Sequence, residues 1–350
     1  MEKRFNIIVY FVEPAQYTLD LIKNVYEKIG AEHRFLQPKS TASSEEEKAI
    51  RTQSFLSQIE LLYNDFQKSD FIIFNGFYNR ELWFFILLNL FSRKKVQIGL
   101  ESDTLLNIPK HPFKKALKRL VLSFLFRRDF IYGFPGGFGR HTNLFKNYGM
   151  SDDKIVTFPM VIDNSKFQKK EHNSNFTFLF VGRFIELKNI NLILKSFLKL
   201  PQEKMQFNLV GEGELFDELS ARYNKPNILF LGKQYGDDLV NAYKNADCLI
   251  LASKSDQWGL VVNEAMASGL PIISSKFVGA NYDLIENKDT GLIFDPEKED
   301  DLTKKMLEMY KDKVQYEQFS NNAYNLMHNY WNYDLYRKQL LSVVEKMKNA

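Results

Sequence analysis

Sulfur chemistry is nearly absent from this chain, which has one cysteine, Cys248, in 350 residues. A lone thiol excludes an intrachain disulfide. Its place in the apolar run CLILA marks it as a small buried hydrophobe rather than a nucleophile, and a reducing cytoplasm fits. Long apolar runs are missing too. The most apolar segment, 82–88 with Leu90 and Phe91 beyond Asn89, is about half of what a membrane-spanning helix needs. The amino-terminal MEKRFNIIVYFVEP lacks the apolar length and small-residue cleavage site of a signal peptide, and suits a buried first strand. Repeats and low-complexity tracts are absent, so a solenoid or fibrous architecture is not expected.

What is present is an ordinary globular mixture, 45% hydrophobic and 26% charged, with an unusual 31 phenylalanines. The length suits two domains better than one core. Charge is uneven. Residues 1–163 hold 23 Lys and Arg against 18 Asp and Glu, a net of +5, while 164–350 hold 24 against 25, a net of −1. The excess concentrates in 80–128, with 11 basic residues and 3 acidic ones.

Short apolar runs alternate with helical spacing throughout, the pattern of βα units and parallel sheets. Strands are expected at 6–11, 71–74, 95–100, 129–132 and 154–158. A second series follows at 178–181, 206–210, 228–231, 248–252 and 272–274. Helices are expected near 18–29, 46–66, 80–91, 112–126 and 140–148 in the first half, and over 302–310 and 335–347 at the end. Ser44 and Glu47 form a capping box for the second of these. The polar, aperiodic segment 163–175 reads as an interdomain linker. The expectation is an α/β chain of two Rossmann-like domains, 1–163 and 164–330. A terminal helix in 331–350 is expected to pack back on the first.

Two motifs carry the chemistry. In VGRFIELKN, Arg183 and Lys188 follow a strand and open a helix; an arginine offers a planar fork for phosphate oxygens and a lysine a mobile point charge. In DQWGLVVNEAMASGLP, a helix should begin near Gly259 or Leu260 and stop at Gly269-Leu270-Pro271. Amides near Gly259, Leu260 and Val261 would face an anion. Glu264, one turn in, could accept both vicinal hydroxyls of a ribose. Its apolar neighbours imply partial burial and hence a partner. Asp256 precedes the helix and could reach a sugar beyond the diphosphate. At the carboxyl edge of a parallel sheet these charges suit a nucleoside diphosphate carrying a polyol. Gly211-Glu-Gly213 starts like a dinucleotide fingerprint, but Phe216 stands at the third glycine, so hydride transfer is not expected.

Taken together, VGR-x4-K, GEG, DCLILAS, D-x7-E, EAMASGLPII and GANYD with TGLIFDP resemble the retaining glycosyltransferases of family 4, which have the GT-B fold. PAQYTLDLIKN, GFYNREL, ESD and KIVTFPMVID resemble the first domain of that family more loosely. The resemblance implies two Rossmann-like domains facing a central cleft, and transfer of a sugar from a nucleoside diphosphate donor to a glycan acceptor. It gives Arg183 and Lys188 to the diphosphate, Glu264 to the ribose, Asp256 to the donor sugar, and Gly232, Lys233 and Gln234 to the nucleobase. The chain departs from the family at Asp256, where glutamate is usual, and at Gly279–Asp283, where Gly-Gly-x-x-Glu is frequent. A first-domain histidine is replaced by Glu101-Ser102-Asp103.

Glu101 and Asp103 could serve as acid/base or acceptor-binding groups. Their pattern also resembles a metal-binding acidic triplet. Arg183 and Lys188 already supply positive charge for the leaving diphosphate, so no metal and no cofactor is expected. In KHPFKKALKRLVLSFLFRR, apolar positions follow helical spacing while Lys114, Lys115, Lys118 and Arg119 take the other face. Two readings stand: an interfacial helix on anionic lipid, or a domain helix packed on its own sheet with solvated lysines. A nucleic-acid partner is not expected. The functional expectation is a polysaccharide-building enzyme in the cytoplasm, at the inner face of the membrane if its acceptor is lipid-linked. A nucleotide-sugar epimerase and a non-catalytic nucleotide-sugar-binding scaffold are the alternatives.

Overall fold

Eleven strands in two parallel sheets organise the computed structural model, which describes residues 5–38, 49–169, 175–201 and 203–349. The Ser44–Glu47 capping box and the middle of the expected linker, 170–174, lie outside the described residues. The chain divides into two units, Met1–Val161 with Tyr333–Ala350, and Ile162–Asn332.

The first unit holds β1 (Ile7–Phe11), β2 (Glu32–Phe35), β3 (Phe71–Asn75), β4 (Gln97–Ser102) and β5 (Ile131–Pro135). Their order is β2-β1-β3-β4-β5, every pairing parallel. Strands β1, β3 and β5 are buried along almost their whole length, as expected of strands covered on both faces. On one face, Tyr10, Phe74, Ile98 and Ile131 meet Phe66, Phe85, Leu125 and Phe145 from the helices in one core. On the other, Tyr26 packs edge-on against Phe11 and against Tyr336 of the terminal helix Tyr333–Lys348, whose Leu340, Val343 and Val344 are also buried.

One strand here was not expected, and one expected strand fails. Glu32–Phe35, with the polar sequence EHRF, is a strand because the edge position asks only for backbone pairing to β1. Residues 154–158 are instead a loop with a single bridge from Ile155 to Gly133. Val156 and Phe158 still donate their N–H groups to Gly133 and Pro135 of β5, both at 3.0 Å, and Phe158 is buried by stacking on Phe134 at 3.9 Å between ring centres.

The second unit holds β6 (Phe176–Val181), β7 (Met205–Val210), β8 (Ile228–Gly232), β9 (Cys248–Leu251), β10 (Ile272–Ser275) and β11 (Gly291–Phe294). The order is β11-β10-β9-β6-β7-β8, again all parallel. Strand order therefore reverses between β6 and β9, so the loops after these two strands open side by side at the carboxyl edge. Phenylalanine dominates this core: Phe178, Phe180, Phe184, Phe197 and Phe207 form a continuous cluster. Cys248 is fully buried, and burial pushes its thiol well above the ordinary range, as suits a small hydrophobe. Strand β11, inside the TGLIFDP motif, and the helix Lys313–Asn329 are elements the sequence reading did not place.

Candidate functional site

The reversal between β6 and β9 brings the two motifs of the second unit together. After β6 the chain makes a short turn, Glu186–Lys188, and enters the helix Ile190–Leu198 through Asn189, which is left-handed at φ 54°. After β9 it runs through Ser253 to Asp256 and enters the helix Leu260–Ala267 through Gly259, at φ 94°. The expected start is thus correct, and the helix ends at Ala267, just before Gly269 at φ 73°. The backbone N–H of Lys254 donates to the carbonyl of Leu187 at 2.8 Å, tying one loop to the other. A third loop, after β10, closes on Asp256: its N–H donates to Phe277 O at 3.1 Å, and Gly279 N–H donates to Asp256 O at 3.0 Å.

Lys188 and Asp256 meet directly, Nζ to Oδ2 at 2.5 Å, both about one-sixth exposed. Ser253 Oγ donates to the same carboxylate oxygen at 3.2 Å. Arg183 differs. It is exposed, and its guanidinium makes no hydrogen bond or ion pair among the described residues. An unpartnered guanidinium on the same loop as a half-neutralised lysine is what an incoming polyphosphate can use.

Gly259 leads the helix as an N-cap without a side chain, so nothing of its own covers the first-turn amides of Leu260 and Val261. One turn on, Glu264 is partly buried, and Tyr243 on the neighbouring helix Gly236–Lys244 donates its hydroxyl to Glu264 Oε2 at 2.5 Å. Burial raises the Glu264 pKa, and the Tyr243 hydrogen bond partly offsets it. The loop is anchored from beneath by Trp258. It stacks on Trp331 at 5.6 Å and donates its indole N–H to Asn263 at 2.7 Å.

The turn at Gly211-Glu212-Gly213 lies against the loop after β6. A Cβ on Gly211 would stand 1.8 Å from the carbonyl oxygen of Gly182, and its φ of 138° disfavours any side chain. These glycines therefore serve close backbone approach, not a dinucleotide. Beyond β8, Gly232 takes φ 66° and Gln234 donates to Leu231 O at 2.6 Å. Lys233 pairs with Glu212 at 2.5 Å and lies 5.0 Å over the Tyr235 ring. Tyr235, exposed beside the turn, is an aromatic surface the motifs did not single out.

Glu101 and Asp103 belong to the first unit and line a cavity of about 170 Å³ with Tyr17, Asn75, Tyr78 and Tyr336. Glu101 ends up buried at the carboxyl end of β4. Tyr336 OH donates to its Oε1 at 2.9 Å and Asn75 Nδ2 to its Oε2 at 3.4 Å. The Tyr26 and Tyr336 hydroxyls are 2.5 Å apart, completing a buried chain of three. Burial is the main cause that pushes the Glu101 pKa up to about 7, with Asp103 adding to the rise and the Tyr336 and Asn75 hydrogen bonds opposing it. Tyr336 escapes a motif reading because it comes from 235 residues away. Among the described residues no three His, Cys, Asp or Glu side chains gather as a metal would require.

Lys114, Lys115, Lys118 and Arg119 sit on the helix Pro112–Phe126 as expected, but the helix does not pack as the sequence suggests. Its core contacts are Leu122, Leu125 and Phe126, while Phe113, Leu117, Leu120, Val121 and Phe124 are exposed. The reading of a packed apolar stripe is therefore wrong for most of the helix.

Known proteins resemble parts of this chain. Sulfoquinovosyl transferase SQD2 of Arabidopsis thaliana is 31% identical over 135 residues, covering 38% of this chain and 26% of that protein. The capsular polysaccharide biosynthesis glycosyltransferase CapM of Staphylococcus aureus is 24% identical over 192 residues, 52% of this chain and 50% of CapM. The chain thus spans at most half the length of these relatives. Among solved structures, Anabaena Alr3699/HepE in complex with UDP and glucose superposes with a TM-score of 0.73 at 15% identity, over 98% of this chain and 100% of that one. Sucrose-phosphate synthase from Thermosynechococcus elongatus gives 0.74 at 16%, over 99% and 100%. At such identity the likeness is one of fold. Residues 161–326 match the family model of the glycosyl transferases of group 1, and the two parallel-sheet domains are those of the GT-B fold.

Proposed function

We propose that the chain is a retaining, metal-independent glycosyltransferase. It moves a hexosyl or N-acetylhexosaminyl group from a nucleoside diphosphate sugar to a glycan acceptor, lipid-linked, in cell-surface polysaccharide synthesis. The observation that carries this is the reversal point of the second sheet. The segments that leave β6 and β9 there carry an exposed Arg183, a Lys188 paired with Asp256, helix amides at Leu260 and Val261 that no N-cap side chain covers, and a Glu264 held by Tyr243. The names of CapM and SQD2 and the UDP and glucose bound by HepE support the same donor chemistry.

In this reading Arg183, Lys188 and the helix amides hold the diphosphate and stabilise the charge that gathers on it as the glycosidic bond breaks. Glu264 accepts from the ribose hydroxyls, and the base lies near Gly232, Lys233 and Gln234. Asp256, freed from Lys188 as phosphate replaces it, orients the donor sugar. Retention follows if the acceptor oxygen attacks from the leaving-group face and its proton goes to the departing phosphate. Glu101 and Asp103, in the first unit, bind the acceptor or exchange a proton with it. A pKa near 7 suits Glu101 to either step.

Thermal-shift titration with UDP, GDP, ADP and their common sugars tests the donor, since a ligand that binds only the native state raises the midpoint. One nucleotide should stabilise the chain, and the matching sugar should then be transferred with its anomeric configuration kept. No shift with any of them defeats the proposal. An isomerised nucleotide sugar formed without acceptor would make the chain an epimerase. Binding with neither hydrolysis nor transfer would make it a scaffold.

A further inference from the structure

The helices Arg80–Phe91 and Pro112–Phe126 follow β3 and β4, neighbouring strands of one parallel sheet. Right-handed crossovers put both helices on the same face. Their inner sides share one core, with Leu82, Phe85 and Ile86 from the first and Leu122, Leu125 and Phe126 from the second. A helix in such an outer layer ordinarily shows water a polar side. The first does not beyond Arg80, and the second shows water an apolar stripe beside its cations.

In RELWFFILLNLF the apolar residues run all the way round. Leu87, Leu90 and Phe91, spaced i, i+3 and i+4, are exposed on the side away from the sheet, Phe91 at 86%. In the second helix Phe113, Leu117, Leu120 and Phe124 form an outward stripe, with Phe113 at 69% and Leu120 at 71%. Only its last turns enter the core. Two adjacent helices therefore present a joint apolar surface of the kind that marks an interaction site.

Charge identifies the partner. Of the three acids in 80–128, Glu81 and Glu101 are buried and Asp103 lines the first-unit cavity. Glu81 is further neutralised by Arg51 and Arg80. The cations remain outside: Arg93, Lys95, Lys114, Lys115, Arg119 and Arg127 are all exposed. Two copies of this face would bring like charges together. A bilayer with anionic headgroups satisfies both features at once, taking apolar side chains at the headgroup boundary and cations among the phosphates.

We propose that the first unit docks on an anionic membrane through the paired outer faces of Arg80–Phe91 and Pro112–Phe126. The inference rests on exposure and charge alone and does not depend on the donor chemistry.

The test is co-sedimentation of the full chain with phosphatidylcholine vesicles, with and without phosphatidylglycerol. Binding should require phosphatidylglycerol. K114Q/K115Q/R119Q should weaken it roughly a hundredfold, at about fivefold per cation near the surface. F91S/L120S should weaken it about tenfold or more. Both side chains are exposed, so the melting midpoint and the nucleotide-induced thermal shift of F91S/L120S should match the parent. A donor reading that fails therefore leaves this result standing. Equal binding to vesicles without phosphatidylglycerol overturns the proposal, as does full binding by F91S/L120S. Self-association that F91S/L120S abolishes, without vesicle binding, would assign the face to a second copy instead.

Discussion

Replacing Glu101 with glutamine asks whether burial governs the first-unit site. The carboxyl sits at the end of β4 with Tyr336 OH at 2.9 Å and Asn75 at 3.4 Å, and its pKa rises from 4.5 to about 7. A carboxyl whose folded pKa lies above its unfolded one binds a proton more tightly in the native state. Its stabilisation is complete below pH 4.5 and is lost as pH climbs through about 7. At about 1.4 kcal/mol per unit, the full loss is about 3 kcal/mol, of which about 2.5 kcal/mol falls between roughly pH 5 and pH 8. Glutamine keeps the shape and accepts from Tyr336 but cannot ionise. Urea denaturation of both proteins across this range should show the parent weakening relative to E101Q by about that amount as pH rises. Y336F removes a hydrogen bond that favours the ionised form, so it should move the parent's midpoint to higher pH. Parallel stability profiles for parent and E101Q would refute the burial argument, and with it the poised acid in this cavity.

R183A should leave folding untouched and weaken nucleoside diphosphate binding by about ten- to a hundredfold, the worth of a charged hydrogen-bond donor; calorimetric titration reads this directly. Because Glu264 must be ionised to accept two ribose hydroxyls, and its pKa is raised by burial, nucleotide affinity should climb with pH through the acidic range. E264Q should show weak binding without that slope, and an identical slope in E264Q would remove Glu264 from the ribose. G211A places a methyl 1.8 Å from the Gly182 carbonyl and should cost several kcal/mol by denaturant titration, about as much as a strongly overpacked core site. An Ala variant of normal stability would mean that the turn is free to open.

How much of this was legible depended on the range of each cause. Strands covered on both faces announce themselves as apolar runs, so β1, β3 and the strands from β6 to β10 can be placed from sequence. Glu32–Phe35 cannot, because an edge strand is held by backbone bonds that leave no pattern in EHRF. Arg183, Lys188, Asp256 and Glu264 were readable because they lie on two short motifs. The sheet order that makes those motifs neighbours is a property of the whole unit. The partners were not readable: Tyr243 for Glu264, Tyr336 for Glu101, and Trp331 beneath Trp258 all arrive from other elements.

The pairing of Lys188 with Asp256 adds what spacing alone could not, for it turns two separate assignments into one exchange. At 2.5 Å the two charges hold each other, so in the proposed function a diphosphate would have to compete for the lysine before the carboxylate is free to meet the sugar. Arg183 has no such partner among the described residues, and it can engage the phosphate first. Shortening glutamate to aspartate at 256 keeps the carboxylate close to its own loop, within reach of Ser253 and Lys188. In the proposed function, this departure from the family pattern is the residue that would link donor charge to donor sugar.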